Sequence, residues 1–219
     1  MKIAVFGGTG ALGRQVVTQA LKRSHQVLAL VRSPEKLSDL STTYPNLKIE
    51  QIDITKPETI NLADSDVVIS CLGYSGIPLF AITLYQDSIK TIVQAMKSAN
   101  KHRLIVCSAS YTKPNLDTYP YLFYKLFLRP MIGRHLDDMY VMEQYLETQN
   151  ETPIDYTIVR PGHLLNHELE QGFNLVVNEG YFNKDGRGRI PRSEVAKFMI
   201  DEAEQGKYLK KGVTVDTGK

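Results

Sequence analysis

Lys2-Ile3-Ala4-Val5-Phe6-Gly7-Gly8-Thr9-Gly10-Ala11-Leu12-Gly13 begins as an apolar, partly β-branched run and ends as a regular series of glycines. Glycines at 7, 10 and 13 have the spacing G-x-x-G-x-x-G. A helical pattern follows from Gly10 to Lys22, apolar at Leu12, Val16, Val17, Ala20 and Leu21. Such a turn must be tight, and without Cβ atoms its backbone can approach a pyrophosphate. The helix start adds unpaired N–H groups and the positive end of its dipole. Gly7, Gly8, Thr9, Gly10, Ala11, Leu12 and Gly13 are therefore the expected phosphate cradle of a dinucleotide, because strand, turn and helix occur in the required order.

Outward from the cradle, short β-branched runs alternate with helical patterns, the rhythm of βαβ units around a parallel sheet. Strands are expected at Lys2 to Phe6, Gln26 to Val31, Lys48 to Ile52, Val67 to Cys71, Arg103 to Cys107, Asp155 to Arg160 and Val213 to Asp216. Helices are expected at Ala81 to Ala99, at Leu136 to Leu146, and after Pro191 with Ser193 as its cap. The resulting fold class is α/β: a doubly wound parallel sheet of about seven strands with helices on both faces, in one domain over 1–219. Residues 111–133, between the fifth strand and its helix, interrupt the rhythm with an aromatic-rich insertion. It is too apolar for a disordered loop and reads as a lid or as an interface, the latter through 119–132.

The chain of 219 residues has 26 Lys+Arg against 24 Asp+Glu, a formal charge of +2, which gives no field suited to nucleic acid or a membrane surface. Hydrophobic residues at 42% and charged residues at 23% fit an ordinary globular chain. No apolar run reaches the roughly 18 residues of a membrane helix, and no export signal precedes the first strand, so a cytoplasmic location is expected. Cys71 and Cys107 each close an apolar run and read as reduced core thiols. No Cys/His cluster has the spacing of metal ligands, so no metal is expected.

The end of the second strand tells one dinucleotide from the other. A carboxylate there would bind the ribose 2′-hydroxyl of NAD, but the residues are Val31, Arg32 and Ser33. A guanidinium suits a 2′-phosphate, so NADP(H) is expected over NAD(H), with Arg14 and Lys36 adding charge nearby. Asp53, with Ile54 after it, follows the third strand and either accepts from the adenine amino group or caps its own turn. Leu72 and Gly73 follow the fourth strand, Cys107 closes the fifth with Ser108 and Ser110 after it, and Pro161, Gly162 and His163 follow the sixth. All are expected at the carboxyl edge against the cofactor, with Ser108, Ser110 and His163 as the candidate catalytic side chains.

On the cradle, and on Leu30-Val31-Arg32, Leu72-Gly73, Val106-Cys107-Ser108, Asp137-Asp138, Pro161-Gly162-His163 and Asp185-Gly186-Arg187-Gly188 leading to Phe198-Met199, the chain resembles the atypical short-chain dehydrogenase/reductase superfamily. Within it, the chain is similar to the NAD(P)H-binding group that contains flavin reductase and biliverdin-IXβ reductase, nearly end to end. The resemblance implies a Rossmann-like sheet with NADPH across its carboxyl edge and hydride transfer to a flat conjugated acceptor. Free flavin (FMN or FAD) is the leading acceptor, with quinone or tetrapyrrole as alternatives. Such a small-molecule reductase would be a monomer or a homodimer.

Typical members of the superfamily add a Ser, Tyr and Lys. Tyr121 and Lys125 have the Tyr-x-x-x-Lys spacing, whereas the resemblance puts those two positions on His135 and Met139 and the serine on Ala109. With 12 tyrosines in the chain, a chance Tyr-x-x-x-Lys is unsurprising. Two other functions follow from this ambiguity. One is a non-catalytic NADP(H)-binding redox sensor of the NmrA-like kind, and the other a carbonyl reductase using Ser108, Tyr121 and Lys125.

Overall fold

The computed structural model describes residues 1–74, 76, 78, 80–114, 126, 129–148, 154–167 and 174–218. Strands β1 (Lys2–Phe6), β2 (Gln26–Val31), β3 (Leu47–Gln51), β4 (Val67–Ser70), β5 (Arg103–Cys107), β6 (Asp155–Pro161), β8 (Leu175–Glu179) and β10 (Lys211–Thr217) form one sheet in the order β3-β2-β1-β4-β5-β6-β10-β8. Every neighbouring pair is parallel except β8 with β10. Two short strands, β7 (His163–Leu165) and β9 (Arg189–Pro191), pair separately.

Alternation along β1 divides the core into two layers. Ile3 and Val5 face α1 (Ala11–Lys22) and α5 (Arg192–Gln205), meeting Val16, Val17, Ala20, Val195 and Met199. Ala4 and Phe6 face α3 (Leu84–Ser98) and α4 (Arg129–Glu147), meeting Ile89, Ile92, Val93, Met96 and Met142. A short helix, α2 (Ser38–Thr43), follows β2. Both sheet faces are therefore covered, and β4 is buried along its whole length, as its uninterrupted apolar run requires. Chain order reverses on either side of β1, and this leaves a crevice at the carboxyl ends of β1 and β4.

The seven expected strands are present, with ends shifted by a residue or two. The antiparallel edge strand β8 is an addition: Leu175-Val176-Val177-Asn178-Glu179 is only half-buried and shows no clean alternation to mark it. Helix α4 starts at Arg129, well before Leu136, so the tail of the 111–133 segment is helical despite Gly133. Pro130 is tolerated there because a first-turn residue needs no intrahelical N–H bond. Ser193 is not the cap of α5; Pro191 holds that position, with no side-chain cap hydrogen bond. Residues 115–125, 127 and 128, hence most of the proposed lid or interface together with Tyr121 and Lys125, lie outside the described residues.

Buried ionic groups join segments far apart in sequence. Glu143 of α4 and Arg160 of β6, at 0% and 2% exposure, make two charge-assisted hydrogen bonds of 3.1 and 2.9 Å. The Tyr181 ring lies 3.9 Å from the guanidinium carbon. A Cβ on Gly212 would come 2.0 Å from Arg160 Nη1, so glycine makes the room for this pair in β10. On the other face, Glu202 accepts from Arg103 and Thr157 and from the Lys207 and Tyr208 amides.

Removing one member of a buried pair leaves the other charge uncompensated. Glu143→Ala is expected to lower unfolding free energy by about 3 to 5 kcal/mol, read from urea denaturation. A loss below about 1 kcal/mol would show that the pair does not hold α4 on the sheet.

Candidate cofactor site

Gly7 stands at φ +75°, and a Cβ there would lie 2.7 Å from the Cys71 carbonyl oxygen at the end of β4. A Cβ on Gly13 would lie 2.1 Å from the Gly7 carbonyl oxygen, so the first turn of α1 presses directly on the strand-to-helix turn. The Gly10 amide donates to Gly7 O at 3.0 Å, and Gly10, in extended conformation, is the N-cap of α1. The first intrahelical bond runs from the Arg14 amide to Gly10 O at 2.8 Å. Amides 11 to 13 are thus the initial donors that a helix cannot satisfy internally, and no acidic residue occupies this first turn. Bare backbone and unpaired donors at a dipole's positive end fit a pyrophosphate.

Arg32 is exposed just past β2, and among the described residues no partner holds its guanidinium. Ser33 beside it is half-buried. Arg14 is differently placed: it pairs with Asp39 and donates to the Lys36 carbonyl at 2.9 Å, tying α1 to the segment after β2. Asp53 caps its own turn, with Oδ1 accepting from the Thr55 amide at 3.0 Å and hydroxyl at 2.7 Å. Those donors hold its carboxyl below the ordinary value. Ile54 and Leu72 pack against the layer beneath α3, and Gly73 abuts the Tyr85 hydroxyl, which would be 3.8 Å from a Cβ.

At the end of β5, Ser108 donates to Glu143 Oε1 at 2.5 Å and Ser110 donates to the Arg160 carbonyl at 3.2 Å. Both hydroxyl protons point inward; a serine in this state can still accept but offers no proton to the edge. Thr112, also fully buried, adds its hydroxyl to Glu143. Cys107 and Cys71 are free and half-buried, and burial pushes the Cys107 thiol up to about 12 and the Cys71 thiol well above its ordinary value. Neither is a thiolate near neutral pH.

Pro161-Gly162-His163 and Asp185-Gly186-Arg187-Gly188 turn out to be one structural unit. A Cβ on Gly162 would be 2.7 Å from the Gly188 carbonyl carbon, and the His163 amide donates to Gly188 O at 2.8 Å. Buried Asp216 clamps the unit by accepting the Gly188 and Arg189 amides at 2.8 and 3.0 Å. His163 itself is exposed, and its ring has no partner among the described residues. A cavity of about 120 Å³ lies where the starts of α1 and α5 meet the residues that end and follow β7, lined by Ala11, Gln15, Asn166, His167, Arg192 and Ser193 among others. A larger cavity of about 540 Å³ opens at the opposite ends of the strands, beside Lys2, Gln26 and Leu47, away from the cradle.

Three residues that matter here carry little sequence signal. Asp138 accepts the Tyr85 and Gln86 amides at 2.8 and 3.2 Å, and so caps α3 from α4. Glu143 collects Ser108, Thr112 and Arg160, and Asp216 holds the Gly188 turn. An Asp-Asp pair in the sequence hints at the first; nothing local marks the others.

A glycine cradle at the carboxyl edge of a doubly wound sheet defines a dinucleotide-binding protein. Residues 7–205 match the family described as NAD(P)H-binding, and the chain belongs to that family. It is 28% identical over 211 residues to an uncharacterised chloroplastic protein of Arabidopsis thaliana, covering 91% of this chain and 71% of that one. It is 29% identical over 179 residues to the photosystem II assembly factor Ycf39 of Synechocystis, covering 71% of this chain; it spans 54% of Ycf39. The fold is similar to that of the oxidoreductase YlbE of Lactococcus lactis, with a TM-score of 0.78 at 21% identity over 100% of this chain and 92% of that one.

Gly13→Ala forces a Cβ against the Gly7 carbonyl. Nicotinamide fluorescence titration is expected to show NADPH affinity reduced about 100-fold or more, equivalent to about 2.8 kcal/mol. Unchanged affinity would show that the nucleotide does not use this turn.

Proposed function

We propose that the chain is an NADPH-dependent reductase of a flat conjugated acceptor, with free flavin as the leading candidate and quinone or tetrapyrrole as the others. The carrying observation is Arg32: an exposed guanidinium just past β2, without a partner among the described residues, beside a cradle shaped for pyrophosphate. A 2′-phosphate there would accept charge-assisted bonds that a 2′-hydroxyl cannot match. When bound, NADPH supplies a hydride. The amides of residues 11–13 would hold its pyrophosphate, and the backbone at Gly73 and Gly162 would let it lie close along the edge.

Support for a flat acceptor comes from a small apolar cluster separate from the two sheet layers. Leu136 is packed there by Ala109, Tyr111, Ile132 and Phe182, with the Tyr111 and Phe182 rings 5.1 Å apart. Tyr111 stands at φ +70°, a strained conformation for a bulky side chain at the end of the β5 segment. Positioning and water exclusion would do most of the work for a flavin, which takes hydride at a ring nitrogen. His163, exposed at the same edge, would be available to bond cofactor or acceptor. Free thiols, and the lack among the described residues of any helix long and apolar enough to cross a membrane, are compatible with cytoplasmic work.

A second reading has its own support. Ycf39 is named as an assembly factor, and Phe80 and Met131 expose apolar side chains to 81% and 59%, as a partner surface would. A cofactor-sensing binder would bind NADPH tightly yet turn over no flavin, quinone or carbonyl compound.

NADPH oxidation followed by absorbance with excess FMN, corrected for the reaction without protein, is expected to saturate and to exceed the NADH rate. Arg32→Ala is expected to weaken NADPH about 10- to 150-fold, from about 1.5 to 3 kcal/mol for a charge-assisted contact, with NADH nearly unchanged. Equal loss for both nucleotides would remove the 2′-phosphate role.

A further inference from the structure

His135 stands on α4 one turn before Asp138. Asp138 caps α3, and α3 starts on the carboxyl side of β4, so His135 is carried to the edge where the cradle opens. Its ring centre lies 5.6 Å from that of Tyr74 and 6.3 Å from that of Tyr85. The Tyr74 amide donates to Tyr85 Oη at 3.2 Å, which ties the Tyr85 side chain to the backbone that follows Gly73. His135 Nε2 lies 3.0 Å from the Gly76 carbonyl oxygen.

That last contact determines the tautomer. A carbonyl oxygen can only accept, so Nε2 must carry a hydrogen whether the ring is neutral or charged. Nδ1 is then the atom that gains and loses the titrating proton, and among the described residues nothing bonds it. Among the described residues, three elements bring groups around the ring. Tyr74 comes from the loop after β4, and Tyr85, held neutral because burial raises its phenol, from α3. On α4, Arg134 donates to the Pro78 carbonyl, Asp137 pairs with Arg129, and Asp138 is occupied by two α3 amides.

We propose that His135 is the proton donor of this edge, delivering the Nδ1 proton to the oxygen of a quinone acceptor. The inference rests on the reductase reading. In the overall step the quinone gains two electrons with a hydride from the dihydronicotinamide, which is oxidised, and one proton from Nδ1. The broken N–H bond leaves its pair on the ring, the imidazolium becomes neutral imidazole with Nε2–H still on Gly76, and a proton from water restores it. The hydride supplies the hydrogen of the other oxygen, so hydride and Nδ1 proton together complete the hydroquinone.

The test uses the full chain labelled with ¹⁵N-histidine, together with His135→Gln, whose amide keeps an N–H for Gly76 and lacks the titrating nitrogen. The chain has five histidines, and the resonance missing from the variant assigns His135. The neutral ring is expected to show the Nε2–H tautomer. With menadione as acceptor, wild-type turnover should be full below the midpoint measured by NMR and fall as pH rises through it. His135→Gln should lose about 100-fold in kcat and that pH dependence, with Tm and NADPH Kd unchanged. A neutral Nδ1–H tautomer, wild-type turnover in the variant, or a parallel loss of NADPH affinity would overturn the donor role and leave the reductase reading standing. A wild-type protein that binds NADPH but reduces no acceptor would remove both.

Discussion

The contact between the Gly13 α-carbon and the Gly7 carbonyl is the constraint on which the remainder of the molecule depends. A methyl group at 13 would sit 2.1 Å from that oxygen, and one at 7 would sit 2.7 Å from the Cys71 oxygen. Three pieces of backbone, the ends of β1 and β4 and the start of α1, therefore meet with no side chain between them. Such an approach aims the first amides of α1 past the sheet edge, where a phosphate can reach them. It also seats α1 against β1 and α5, so the same closeness serves the core beneath.

Buried carboxylates do the next part of the assembly. Asp138 reaches from α4 to cap α3, Glu143 from α4 to Arg160 on β6, and Asp216 from β10 to the Gly188 turn. Each joins segments that the chain separates widely, and each is satisfied by several donors, as burial of a charge demands. Together they set the carboxyl edge on one rigid frame. Ser108 and Ser110 belong to that frame through Glu143 and the Arg160 carbonyl, whereas His163, His135 and Arg32 stand where solvent or a ligand can reach them.

Much of this was legible in the residues, for physical reasons that also mark the limit. Parallel strands buried on both faces read as unbroken apolar runs, and a tight phosphate turn needs glycine, so β1 to β6 and Gly7 to Gly13 stand out. The antiparallel strand β8 does not, since its side chains are only half-buried and its pairing with β10 is long-range. The start of α4 is hidden because Pro130 and Gly133 disfavour helix locally while burial of Leu136, Met142 and Leu146 overrides them. The roles of Asp138, Glu143 and Asp216 are invisible because a cap or ion pair made across the fold leaves no spacing to read. Asp53, left open between adenine and turn, has one oxygen committed to Thr55.

Hydrogen exchange at the Ala11, Leu12 and Gly13 amides, measured with and without NADPH, addresses the central claim most directly, because these amides have no acceptor in the helix and a bound phosphate would supply one. Exchange slowed markedly at those three amides by NADPH, and by NADH at its own saturating concentration, is the result the account predicts. Protection confined to another part of the molecule, with amides 11–13 exchanging at the same rate in both states, would contradict it.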